Sequence, residues 1–148
     1  MARVIEMVRF ALKAGASKDI PGPTEPGRVM VVDDEPSVRE FVDRALREAG
    51  YETVVASDGL DALALAEKSG GFELLLTDLM MPEMSGDELA RRLRQNQPGL
   101  KVLYLTGYSD RLFNSKGSLW TDEAFLEKPC SMNGLLEAVS LLMRGRLR

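Results

Sequence analysis

The feature that most constrains this chain is a regular alternation of short apolar runs with amphipathic stretches. The runs are VMVV (29–32), TVVA (53–56), ELLLT (73–77), KVLYLT (101–106) and AFLEK (124–128). Runs that are apolar throughout suit strands buried on both faces. Between them, apolar residues recur at helical spacing. Val38, Phe41, Val42, Ala45, Leu46 and Ala49 form one stripe, opened by Pro36 and closed by Gly50. Asp58 is placed to cap a second helix that carries Leu60, Leu63, Ala64 and Glu67 and ends at Gly70-Gly71. Ser85-Gly86-Asp87-Glu88 has capping-box spacing ahead of Leu89 and Leu93. Pro98-Gly99 predicts a turn, and residues 109–119 only a short, weak helix broken at Gly117. Ser131 caps a final helix with Leu135, Leu136, Val139, Leu142 and Met143 inward. Strict alternation predicts an α/β fold, a five-stranded parallel sheet with helices on both faces.

The first 27 residues stand apart. Val4 or Ile5, Val8 and Leu12 give residues 1–14 a short amphipathic pattern, and residues 15–27 hold six Gly or Pro in thirteen positions. We therefore expect a helical arm and linker over 1–27 and one folded domain over 28–148. Arg3, Glu6, Arg9 and Lys13 interrupt any signal-peptide core, and no run approaches the ~18 apolar residues of a membrane span. A single cysteine, Cys130, rules out an intramolecular disulfide and points to a reducing, cytoplasmic setting.

The count that most restricts chemistry is zero histidines. Ser-His-Asp and Cys-His catalysis, His-ligated zinc and a histidine general base are excluded. Neither GxGxxG nor GxxxxGK[ST] occurs, which argues against dinucleotide and P-loop nucleotide binding. Open parallel sheets bind ligands at the carboxyl ends of their strands. Here those ends carry Asp33, Asp34 and Glu35 after the first strand, Asp78 after the third, Thr106 after the fourth and Lys128-Pro129 after the fifth. Taken singly, each has an ordinary role as a helix cap, turn former, strand residue or solvated lysine. Taken together they place three aspartates, a hydroxyl and an ammonium on one edge. Hard oxygen ligands without His or Cys suit Mg²⁺, and a cation offsets the repulsion among the carboxylates.

With these pieces in order, the sequence resembles the receiver domain of two-component response regulators. VMVVDDEPSVRE (29–40), LLLTDLMMPEMSGDEL (74–89), VLYLTGYSD (102–110) and FLEKP (125–129) carry the resemblance across about residues 28–144. It implies a flavodoxin-like (βα)5 fold with Asp78 as phosphoacceptor. Asp34 would hold Mg²⁺ directly, Asp33 through water, and Met80 would offer its backbone carbonyl. Thr106 would be the switch hydroxyl, Phe125 the switch aromatic, and Lys128 the contact to a phosphoryl oxygen, oriented by a cis peptide to Pro129. The implied donor is a histidine kinase or histidine phosphotransfer domain, and homodimerisation is a family habit. Such a domain catalyses only its own phosphorylation and dephosphorylation. The LTGYSD…FLEKP style is similar to receivers at the C-terminus of hybrid sensor histidine kinases.

Residues 28–143 carry 12 Lys and Arg against 20 Asp and Glu, which disfavours direct nucleic-acid contact. Arg144, Arg146 and Arg148 read as a solvated helix end, and no output domain is expected beyond Arg148. Two other readings stand beside the receiver: a receiver-like module that signals by binding without phosphorylation, and a haloacid-dehalogenase-type phosphatase. The second needs a further aspartate that DLMMP (78–82) lacks.

The resemblance also places Met80 and Tyr108 beside the route of hydrolytic water. Both are large, and neither is an acid or amide suited to orienting that water. The acyl phosphate should therefore decay more slowly in the wild type than in a variant combining Met80→Asn with Tyr108→Glu. A decay time course checks this: an effect confined to Met80→Asn assigns the shielding to Met80 alone, and unchanged or slower decay in the double variant contradicts it.

Overall fold

A computed structural model describes residues 27–107 and 122–144. The expected N-terminal helix, most of the linker, the weak helix within 109–119, Tyr108, Arg146 and Arg148 lie outside the described residues. The apolar runs form strands β1 (Arg28–Val32), β2 (Glu52–Ala56), β3 (Leu74–Thr77), β4 (Lys101–Thr106) and β5 (Glu123–Glu127). All neighbouring pairs are parallel, in the order β2-β1-β3-β4-β5. The described helices are α1 (Pro36–Glu48), α2 (Gly59–Ser69), α3 (Gly86–Arg94) and α4 (Met132–Met143). α1 packs with α4 on one side of the sheet, and α2 with α3 on the other. β3 is buried along its whole length, and β1 and β4 are buried except at their first residues, as runs without alternation require. β2 lies at an edge and buries only Ala56 fully.

Helix boundaries follow the polar signals. The Asp58 carboxylate accepts from Asp61 N–H at 2.8 Å, and the Ser131 hydroxyl from Gly134 N–H at 3.0 Å. Ser85 Oγ accepts from Glu88 N–H at 3.3 Å, but the Glu88 carboxylate turns to Arg91 and Arg92. Only the forward half of the capping box is therefore realised. Gly50, at φ 98°, takes the left-handed conformation that follows α1. The α2 stripe differs from the sequence reading: Ala62 is the fully buried side chain, while Leu60 is 56% exposed. Residues two apart on a helix point to nearly opposite faces, so burying Ala62 turns Leu60 outward. In α4, Leu135, Val139 and Leu142 point inward as expected and are joined by Ala138. Leu136 and Met143 are only partly buried.

The strand order has one consequence for chemistry. Chain connections leave β1 toward β2 on one side, while β3 lies on the other. The crevice between the carboxyl ends of β1 and β3 is thus the switch point of the sheet. Val32 is level with Thr77, and Asp78 N–H donates to Val32 O at 3.0 Å. The next residues along each chain segment, Asp33 and Asp78, therefore leave the sheet side by side.

The loop after β3 returns tightly to α3. Gly86 N–H donates to Leu79 O at 2.8 Å, and a Cβ on Gly86 would overlap the carbonyl oxygen of Asp78. Backbone has little room to yield, so Gly86→Ala should cost about 2–3 kcal/mol. Urea denaturation checks this; a midpoint equal to wild type contradicts the close approach.

Candidate functional site

Asp33 and Asp78 are buried at the carboxyl edge, while Asp34 is exposed beside them. One oxygen from each of the three lies within 4.8 Å of the others. Lys128 reaches in from the end of β5. Its Nζ lies 3.1 Å from Asp33 Oδ2, 3.4 Å from Asp78 Oδ2 and 3.7 Å from Glu35 Oε1. The Lys128–Pro129 peptide is cis. The Asp33 carboxylate is held from a second direction by Glu35 N–H at 2.9 Å, and Asp78 Oδ1 meets Met80 N–H at 3.4 Å.

The electrostatics arise from this crowding. Burial raises the Asp78 carboxyl to about 6; Lys128 and the Met80 amide oppose the rise, and Asp33 adds to it. Burial likewise raises Asp33, against the Glu35 amide and Lys128. Burial works to lower Lys128, but the carboxylates of Asp78 and Asp33 outweigh it and raise the ammonium above its usual range. Three carboxylates share one ammonium in a partly dry pocket, and a hard divalent cation matches that imbalance and that all-oxygen donor set.

Thr106 belongs to the same edge, and Phe125 lies mid-strand on β5. Thr106 is fully buried at the end of β4, and its carbonyl accepts from Lys128 N–H at 3.0 Å. Phe125, also buried, is level with Tyr104, and Thr106 is level with Glu127. Level residues on parallel strands share a face, so Phe125 and Thr106 lie diagonally on one face of the sheet. Met80 is 39% exposed at the rim. Beside Lys128 opens a groove of about 390 Å³ lined by Glu35, Val38, Phe41, Leu105, Pro129 and Cys130, among others.

The structure thus brings together Asp33, Asp34, Asp78 and Lys128, ties Thr106 to Lys128 through the backbone, places Phe125 on the sheet face of Thr106 and leaves Met80 at the rim; Tyr108 lies outside the described residues. Sequence reasoning gave no role to Glu35, the third acid on Lys128, or to Arg39, whose guanidinium donates to Asp33 O at 2.7 Å. A basic residue one turn inside a helix whose cap position holds glutamate was the available signal for Arg39.

Because folding raises the Asp78 pKa, keeping this group ionised costs stability. The cost is small near pH 4, grows as pH rises through about 6, and is at most about 3 kcal/mol above that. In divalent-free buffer, Asp78→Asn should therefore melt well above wild type at pH 7.5 and close to it near pH 4. A difference that does not change with pH contradicts this electrostatic account.

The family profile described as response regulator receiver domain matches residues 29–140. The response regulator receiver protein CpdR of Brucella abortus is 33% identical over 116 residues, 78% of this chain and 96% of CpdR. The sensor kinase CckA of Brucella abortus is 34% identical over 116 residues, again 78% of this chain but only 12% of CckA. The solved response regulator protein TrrA of Thermotoga maritima, in complex with Mg²⁺-BeF, superposes with a TM-score of 0.67 at 38% identity, covering 78% of this chain and 98% of TrrA.

Proposed function

Since the chain belongs to the response regulator receiver domain family, a phosphoacceptor family of two-component signalling, we propose that Asp78 accepts the phosphoryl group, from a phosphohistidine donor in a Mg²⁺-dependent reaction. The observation that carries this is the placement of Asp78 at the sheet's switch point, with Lys128 3.4 Å away and Asp33 and Asp34 beside it. An Asp78 oxygen attacks phosphorus in line, the P–N bond to the donor imidazole breaks, and its electron pair stays with the imidazole. The product is an acyl phosphate on Asp78. Lys128 pairs with a phosphoryl oxygen, which draws it from its resting contact with Asp33.

Asp33, Asp34 and Asp78 would hold Mg²⁺, with the Met80 carbonyl as a further ligand. When bound, it would neutralise charge on the phosphoryl oxygens. Thr106 turns its hydroxyl to the new phosphoryl group, and Phe125 moves into the space this opens, changing the surface beside β4 and β5. The groove between α1 and the β5–α4 loop lies next to Lys128, which suits it to receive the histidine-bearing partner.

The acidic surface, with 12 Lys and Arg against 20 Asp and Glu over residues 28–143, favours protein partners over nucleic acid. A second copy of the chain is one candidate partner. Among the described residues no helix is long and apolar enough to cross a membrane, and we place the domain in the cytoplasm. The chain spans 96% of CpdR but only 12% of CckA, a sensor kinase, so receivers like this one occur in both settings.

Incubation with acetyl phosphate and Mg²⁺ should add one phosphoryl mass to the chain. Asp78→Asn, a chelator, or ATP as the only donor should each abolish the addition. Undiminished labelling of Asp78→Asn contradicts the assignment, and labelling in chelator contradicts the metal role.

A further inference from the structure

The backbone that carries Asp33 and Asp34 is held by a side chain outside the proposed ligand set. Arg39 lies on the second turn of α1, and its Nη1 donates to the Asp33 carbonyl at 2.7 Å. The placement runs against ordinary helix electrostatics, since a cation near a helix N-terminus opposes the macrodipole. The same terminus lacks a side-chain cap, because Glu35 at the cap position makes no side-chain cap hydrogen bond. The guanidinium therefore serves the loop ahead of the helix rather than the helix itself.

The bond matters because of the peptide it grips. One planar peptide joins Asp33 to Asp34, so fixing its carbonyl fixes the plane from which both side chains depart. The two carboxylates differ in how else they are held. Asp33 has the Glu35 amide and Lys128. Asp34 is exposed, and no hydrogen bond or ion pair among the described residues holds its carboxylate. Only the backbone limits where this carboxylate can reach, and Arg39 anchors that backbone. We infer that Arg39 is a positioning residue that pre-orients the Asp33–Asp34 pair for a divalent cation, through the Asp33 carbonyl rather than by touching the ion. This rests on the reading of the acidic cluster as a cation site.

The test is a Mn²⁺ titration of the unphosphorylated full chain, followed by water-proton relaxation, with thermal midpoints measured without metal. Arg39→Met keeps the aliphatic stem and removes the donor; it should weaken Mn²⁺ binding about tenfold, as loss of an outer hydrogen bond typically does. Arg39→Lys should recover most of the affinity at a similar midpoint. Wild-type affinity in Arg39→Met overturns the inference. So does equal weakening in both variants alongside lowered midpoints, which marks a purely structural role. If Arg39→Met does not fold, Arg39→Leu, which also lacks a donor, takes its place with the same two outcomes. Asp34→Asn separates this inference from the reading beneath it: if wild type binds no Mn²⁺, or Asp34→Asn binds as tightly as wild type, the cation site itself is wrong and Arg39 falls with it.

Discussion

One ammonium group makes it possible to bury two carboxylates side by side in this fold. Asp33 and Asp78 emerge from adjacent parallel strands whose last residues are level, so their closeness is set by the sheet. Two like charges in a partly dry crevice oppose each other's ionisation, and burial raises both pKa values. Lys128 offsets part of that cost from 3.1 and 3.4 Å. Its backbone N–H is at the same time bonded to the Thr106 carbonyl. The residue that balances the charge is therefore tied to the residue proposed to report on it.

The two ends of the sheet contrast in charge. At the amino end, Arg94 pairs with the buried Glu123 at 2.7 Å and donates twice to the Leu100 carbonyl. Arg28 there donates to the carbonyls of Ser69 and Gly71 and lies over the Phe72 ring. Those cations are committed to internal acceptors, which closes that end as structure. At the carboxyl end, Asp33, Asp78 and Glu35 surround one lysine, and Asp34 lies beside Asp33 and Asp78. The excess negative charge calls for a cation from outside, and the exposed Asp34 opens that edge to it. Parallel strands thus separate a structural end from a chemical one.

Much of this was legible in the amino acids. Uniform apolar runs identified the buried strands. The residues just past each run then pointed to Asp33, Asp34, Asp78, Thr106 and Lys128, because a parallel sheet brings every strand end to one edge. Side-chain direction was less legible. Leu60 reads as apolar helix surface, yet the small Ala62 takes the position against the core; α2 packs through its smaller residues, a choice made by the neighbouring α3 and β2 rather than by local pattern. Arg39 and Arg94 were hidden for a related reason. Arginines in helices ordinarily read as solvated; a basic residue one turn inside α1 hinted at Arg39, but its acceptor, Asp33 O, and the reach of Arg94 across 29 residues of chain to Glu123 emerge only from the fold.

The central claim is that Asp78, with a divalent cation held by its acidic neighbours, forms a site shaped for a phosphoryl group. Fluorine NMR of the chain with beryllofluoride, a phosphoryl mimic, addresses it most directly. Bound fluoride resonances should appear in the wild type only when Mg²⁺ is present, and should be absent from Asp78→Asn. Resonances that persist in Asp78→Asn, or a wild type that binds no beryllofluoride at saturating Mg²⁺, would contradict the account.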